Sequence, residues 1–406
     1  MCFQLSKSVS RGTAAALCVL TAVASFNVSY ALIQRQNEAA LPGYEANNAI
    51  YGKLGEIREK VDSLYVGEYD AQDAVDMACV GYMAGVGDRW SGYLSKEEYE
   101  ENQLSFSGRS SGIGVYTAYD AANQRLRILE VYEGSGAAEA GMRKGDEILG
   151  AEDKTLAADG YDAVIDTIRG EEGTDVSVTF RQADTGRTVT ASMTRREVDA
   201  TMVSGRMLDE TTGYIRFYNF RQHSEEQFRK VLDSLLAQGA EKLVFDVRND
   251  PGGAVDSLCK ILDPLLPEGK IMTLRTKAGA EKVYESDADC LNLPMVVLVN
   301  ADSISAAEFF AAALQEYGKA TVVGTQTIGK GYSQRTYPLS DGSALRLSDQ
   351  AYYTPKDKSL IGTGVTPDVT VELSDEKTAR FYFLSDEEDN QLAAARAVLE
   401  EMSLSN

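Results

Sequence analysis

From about Gly43 to Gln103 the chain is mostly polar, with Ile50, Leu54, Ile57, Val61 and Leu64 recurring at the spacing of one helical face. That pattern predicts a helical region with no chemistry of its own. From Gly108 the period shortens: Gly112-Ile113-Gly114-Val115, Leu126 to Val131 and Asp175 to Phe180 read as strands between Gly-containing turns. A small β-rich domain ending near Arg196 is expected. After about Thr201, strands alternate with helices. Lys242 to Val247 is a near-continuous apolar strand, broken by Arg248-Asn249-Asp250-Pro251-Gly252-Gly253 before a helix that carries Val255, Leu258 and Ile261. A second unit has Met295 to Val299 as strand, Asn300 to Ser305 as turn, and Ala306 to Tyr317 as a helix so apolar all round that it must be buried. Repeated strand–helix units predict a largely parallel sheet. The fold class is therefore mixed α/β and multidomain, divided into residues 1–35, a helical region 36–105, a β-rich domain 106–196, an α/β core 197–375 and a C-terminal helical segment 376–406.

The first of these divisions is not a folding unit. Lys7 and Arg11 precede an apolar stretch from Thr13 to about Ile33, the form of a secretory leader or single membrane anchor, so the rest is expected to work outside the cytoplasm. The net charge of −22, with 62 acidic against 40 basic residues, argues against nucleic acid as partner. Cys2 and Cys18 lie in the leader, and Cys79, Cys259 and Cys290 are irregularly spaced, unlike a disulfide framework or zinc site. His223 is the single histidine and reads as a helix-entry residue, which leaves little room for zinc or a histidine-based triad. No metal or cofactor is expected.

Ser305 stands where a strand turns sharply into a helix. An acyl-transfer nucleophile needs such a place, because the side chain projects freely and the next backbone N–H can face an oxyanion. The same position suits a helix N-cap, a role open equally to Ser303. Twenty-five residues on, Lys330 sits between Gly329 and Gly331, a setting that fits a solvated loop as well as a base. Gly324-x-x-x-x-Gly329-Lys330 nearly spells a phosphate-binding loop, but Gly331 occupies the position that must be Ser or Thr.

Glu133 to Leu149, with Gly141-x-x-x-Gly145-Asp146, resembles the signature of protease-linked PDZ domains, apart from Gly136 where Pro is usual. Such domains add a peptide as an extra strand and take its carboxylate on a Gly-containing loop, here Gly112, Ile113, Gly114 and Val115. Asn300-x-x-Ser303-x-Ser305-Ala306-x-Glu308 with Gly329-Lys330-Gly331-x-x-Gln334 resembles the C-terminal processing peptidases, or tail-specific proteases. Asp88-Arg89-Trp90-Ser91-Gly92-Tyr93-Leu94, Asp246 to Gly253 and Gly364-Val365-Thr366-Pro367-Asp368 resemble that family's Asp-Pro-x-Ser-x-Tyr-Leu, Asp-Leu-Arg-x-Asn-Pro-Gly-Gly and Gly-Val-x-Pro-Asp segments. The departures are Arg89, Ile304 and Ala307.

The resemblance implies a serine endopeptidase of the bacterial cell envelope, secreted or membrane-anchored, acting on proteins with a free C-terminus. Its implied roles are Ser305 as nucleophile, Lys330 as general base, Gln334 as the group orienting the lysine, and the N–H groups of Gly252 and Ala306 as oxyanion hole. Arg169 lies in the motif of a PDZ arginine that links bound peptide to the active site in some members. Self-association into a homodimer is a further expectation of the family, and a catalytically inactive tail-binding scaffold is the alternative reading. The chemistry asks one thing of Lys330: a free lysine, with pKa about 10.4, must be brought down by about three units, which burial can supply.

Overall fold

The computed structural model describes residues 49–106, 109–120 and 124–404. The leader expected over 1–35 lies outside the described residues, and no helix among those described is long and apolar enough to cross a membrane. The chain divides into two compact units, Met1–Val75 and Asp76–Asn406. In the first, residues 49–64 form a helix, as their periodicity predicts.

Within the second unit the β-rich module contains β1 (Val115–Asp120), β2 (Arg125–Val131), β3 (Glu147–Ala151), α1 (Gly160–Ile168), β4 (Asp175–Arg181) and β5 (Thr188–Thr194). The strands pair antiparallel in chain order, which leaves β1 at an edge. In β4, Val176, Val178 and Phe180 point inward while their neighbours are more exposed, the period of two that a one-faced sheet imposes. They meet Ile113, Leu126, Ile128, Ile148 and Val164 in a single core.

The chain then runs through β6 (Val203–Met207), β7 (Thr212–Phe217), α2 (Ser224–Ala237), β8 (Lys242–Asp246), α3 (Val255–Leu262), β9 (Gly269–Thr276), β10 (Glu281–Ser286), β11 (Met295–Val299), α4 (Ala306–Glu316), β12 (Ala320–Gly324), β13 (Tyr332–Pro338), β14 (Ala344–Tyr353), β15 (Val369–Thr370) and α5 (Asn390–Leu404). One sheet has the order β6-β7-β8-β11-β12-β15. Only β6 runs antiparallel to its neighbour. Both faces of this sheet are covered. Phe217, Phe245 and Val297 pack against Phe228 of α2, Leu258 of α3 and Phe310 of α4. On the other face Val244, Val296, Leu298 and Val323 meet Leu392, Ala395 and Leu399 of α5. Two covered faces explain why β8 and β11 read as unbroken apolar runs.

A second sheet, antiparallel, joins the three-residue strand Gly92–Leu94 to β14, β9 and β10, with β13 also paired to β14. It carries the segment after Lys330 and forms a wall beside the end of β11.

Candidate active site

Ser305 occupies the N-cap of α4 with φ 60° and ψ −113°, a conformation that side chains rarely adopt and that the surrounding structure must enforce. Several contacts enforce it. Ser303, fully buried, donates to Val247 O at 2.8 Å and accepts from the Asn300 N–H at 3.0 Å, so its hydroxyl ties β8 to the turn. The Asn249 N–H donates to Asn300 Oδ1 at 3.0 Å, and the Ile304 N–H to the Asp250 carbonyl at 2.9 Å. The two loops at the carboxyl ends of β8 and β11 are thereby zipped together. Their meeting point requires Gly252: at φ 90°, a Cβ there would fall 2.6 Å from Ile304 O and 2.9 Å from Ala306 N.

Glu308, one turn into α4, carries the other half of the arrangement. It is fully buried, and Oε2 accepts the N–H of Ser305 at 2.9 Å and of Lys330 at 2.9 Å. Oε1 accepts the Thr327 hydroxyl at 2.6 Å and the Gly329 N–H at 2.7 Å. One carboxylate thus clamps the turn of Ser305 to the loop of Lys330, far along the chain. Thr327 in turn receives the Val365 N–H at 2.8 Å, and Gly329, at φ 84°, passes so close to the Gly362 backbone that a Cβ would lie 2.9 Å from it. The residues after Lys330 enter strand β13 instead of a helix, so the structural context of a phosphate-binding loop is absent.

Ser305, Lys330 and Gln334 line one cleft of about 950 Å³, together with Gly252, Ala306, Phe309 and Tyr352. Burial lowers the Lys330 pKa to about 8, with Arg346 adding to the effect and Glu308 and Asp88 opposing it. The ammonium makes no hydrogen bond to Ser305 Oγ; it lies 4.5 Å above the ring of Trp90. The buried Tyr352 hydroxyl approaches Ser305 without a hydrogen bond of good geometry, while its ring stands edge-on to Phe309. The Gln334 amide makes no hydrogen bond to Lys330 in this conformation. A β-bulge at Ser333 and Gln334 turns its amide to Tyr332 O at 2.9 Å and Ser348 Oγ at 3.2 Å.

Asp250 is fully buried beside the turn that carries Ser305. Its Oδ1 accepts the Gly252 N–H at 2.7 Å, whereas Oδ2 has no partner. Burial pushes its pKa up to about 8, against the Gly252 N–H and the charges of Arg216 and Arg221. The carboxyl is therefore mostly protonated in the folded protein at neutral pH and ionised in the unfolded chain. A raised folded pKa contributes stability at acid pH and loses it as pH climbs from about 4 towards about 8. Asp250→Asn keeps the shape and removes the ionisation. Its stability relative to the parent is expected to rise from near parity at about pH 4 to a gain of several kcal/mol at about pH 8, read from urea unfolding at the two pH values.

In the β-rich module Ile113 and Gly114 sit ahead of the edge strand β1, with Gly114 at φ 77°. Ile113 O accepts the Ala137 N–H and Gly114 O the Tyr132 N–H, which fixes the loop. Arg169, exposed at the end of α1, is a neighbour of that loop: a Cβ on Gly112 would lie 4.0 Å from Ile168 O. It is not among the residues lining the cleft that holds Ser305 and Lys330. His223 is an exposed helix-entry residue in the left-handed region at φ 68°, and Cys79, Cys259 and Cys290 are free thiols. Among the described residues no group of His, Cys, Asp and Glu could hold a metal ion. The central place of Glu308 and the burial of Asp250 were not anticipated from the sequence.

The sequence profile of Peptidase family S41 matches residues 211–371, and that of a PDZ domain residues 127–182. A carboxy-terminal-processing protease of Bartonella bacilliformis is 30% identical over 328 residues, which cover 79% of this chain and 74% of that protein. A carboxyl-terminal-processing protease of Synechocystis is 31% identical over 298 residues, covering 71% and 69%. A solved structure from Bacteroides fragilis assigned to the S41 proteases shares the fold with a TM-score of 0.53 at 19% identity, over 79% of this chain and 88% of that one. With a PDZ module ahead of an α/β core and relatives that span most of its length, the chain belongs to peptidase family S41, alongside the carboxy-terminal-processing serine proteases.

Proposed function

We propose that the chain is a serine endopeptidase in which Ser305 attacks the scissile carbonyl, Lys330 takes its proton, and the PDZ module holds the substrate by its C-terminal tail. The observation that carries this reading is the shared carboxylate: the N–H groups of Ser305 and Lys330 both bind Glu308 Oε2, so nucleophile and base open on the same cleft. With a pKa of about 8, roughly one Lys330 in ten is neutral at pH 7, against about one in a few thousand for a free lysine. The neutral amine accepts the hydroxyl proton as the serine oxygen bonds to the carbonyl carbon, and the ammonium then protonates the departing amine. The Ala306 N–H at the start of α4 faces the developing oxyanion. Gly252 joins it when its N–H leaves Asp250 Oδ1.

A tail would pair with the edge strand β1, its carboxylate on the N–H groups around Ile113, Gly114 and Val115, with Arg169 supplying positive charge at the rim. We place the activity outside the cytoplasm, on the form of the N-terminal leader. The test is an unfolded reporter protein offered with a free and with an amidated C-terminus, and a fluorophosphonate probe mapped by mass spectrometry. Faster cleavage of the free tail and labelling on Ser305 are expected. Equal cleavage would remove tail recognition, and labelling elsewhere would remove Ser305 as nucleophile.

Glu308→Gln presents an amide NH2 to backbone N–H donors where a carboxylate oxygen now accepts two of them. The serine turn and lysine loop then separate, and kcat is expected to fall by about 10²-fold with KM little changed. Steady-state kinetics on the reporter, with circular dichroism to verify the fold, check this.

A further inference from the structure

Trp90 is the only tryptophan in 406 residues, and it stands half-buried over the proposed base. Its position is built. Asp88 Oδ1 accepts the Trp90 N–H at 3.1 Å and Oδ2 the Ser91 hydroxyl at 2.5 Å. Ser91 Oγ accepts the Ser348 N–H at 2.9 Å, and the adjoining strand Gly92–Leu94 is laddered onto β14, with Gly92 opposite Arg346. The ring is thus fixed to the sheet that forms one wall of the cleft, with Lys330 Nζ 4.5 Å from its centroid and the Arg89 guanidinium 4.3 Å from the same ring.

An aromatic face attracts an ammonium through its quadrupole and has no comparable hold on a neutral amine. Resting on the reading of Lys330 as general base, we propose that Trp90 is a positioning residue of the catalytic apparatus: its ring docks the protonated Lys330 side chain away from Ser305, and the lysine leaves the ring as it loses its proton. The other charges facing Lys330 are Arg346 on β14, Glu308 on α4, and Asp88 and Arg89 on the turn that carries the tryptophan. Glu308 already receives four donors from the backbone and Thr327. Arg346 and Arg89 repel the ammonium, so among the neighbours whose contact with it is direct, the ring is the one that holds it charged.

Two measurements on the full chain test this. First, Trp90 emission is followed through the titration of Lys330 in the parent and in Lys330→Met. The parent emission should change with a midpoint matching the rising limb of kcat/KM, and the Lys330→Met emission should stay flat over that interval. Second, pH–rate profiles are compared for Trp90→Phe and Trp90→Leu. Loss of the ring in Trp90→Leu should move the rising limb to lower pH by about 0.5–1.5 units, and Trp90→Phe should restore most of the parent position. A limb unmoved in a folded Trp90→Leu protein, or an identical emission titration in Lys330→Met, overturns the proposal. Retained cleavage by Lys330→Met would instead overturn the assignment of the base, while a flat emission in that same variant would still establish the contact. If Trp90→Leu does not fold, the emission comparison decides alone.

Discussion

Lys330→Met lowers kcat by about 10⁴-fold, Ser305→Ala does the same, and the double substitution goes no lower. In the proposed mechanism the two side chains perform one proton transfer between them, so removing either abolishes the step and removing the second takes nothing more away. Methionine is the informative replacement. It keeps the length and apolar volume of the lysine stem, which runs beside the Trp90 ring in a cleft lined by Ala306 and Phe309 of α4, so lost rate cannot be assigned to a collapsed cleft. What remains comes from substrate binding and the N–H groups at the start of α4. The parent enzyme carries a second mark of the same chemistry. Because only the neutral amine accepts a proton, kcat/KM rises with pH until it levels above about 8, the value to which burial brings Lys330. Steady-state kinetics with melting temperatures of all three variants check the magnitude, and an undiminished rate in Lys330→Met would assign the base elsewhere.

The parts of this fold that were legible in the sequence are those where one physical rule acts alone. β8 and β11 lie between two layers of helices and so show as continuous apolar runs, and α4, buried on almost every side, shows as a helix without a polar face. The second sheet was less visible. β13 and β14 are half-exposed strands whose residues alternate only weakly between environments, so their periodicity is thin. Gln334 illustrates the same limit at one residue, because the bulge that turns its amide towards Ser348 belongs to the pairing with β14 and has no local signal. Glu308 was visible as a motif position without a role. A glutamate near a helix start is ordinarily a solvated partner of the N-terminal N–H groups, and only the fold brings the N–H groups of Gly329 and Lys330 onto the same carboxylate.

The loop that carries Gly252 depends on an ion cluster beneath it, and Arg248→Met is expected to destabilise the protein by about 3–5 kcal/mol. Arg248 is 2% exposed and all five of its guanidinium donors are used. Nε and one Nη2 hydrogen go to Asp246 at 3.0 and 2.7 Å, the other Nη2 hydrogen and one from Nη1 go to Asp389 at 2.7 and 3.0 Å, and the last from Nη1 reaches Gln391 at 2.9 Å. Burial works against the charge of both Arg248 and Asp246. Their mutual attraction, with Arg216 and Asp389, outweighs it, so Arg248 stays ionised and the Asp246 carboxyl is held well below the usual carboxylate range. Methionine fills the space but leaves Asp389 in the interior without its guanidinium partner and Asp246 with Arg216 alone. The cost is that of the stranded charges, larger than the net worth of the pairs themselves. Asp389 and Gln391 also introduce α5, so the damage should spread from the loop to the helix covering the second face of the sheet. Urea denaturation of Arg248→Met against the parent measures the loss. Arg248→Met with Asp389→Leu, which removes one charge of each sign and leaves Asp246 paired with Arg216, should recover a substantial part of the stability; a double variant no more stable than the single one would show that packing of the arginine stem, not stranded charge, holds this loop in place.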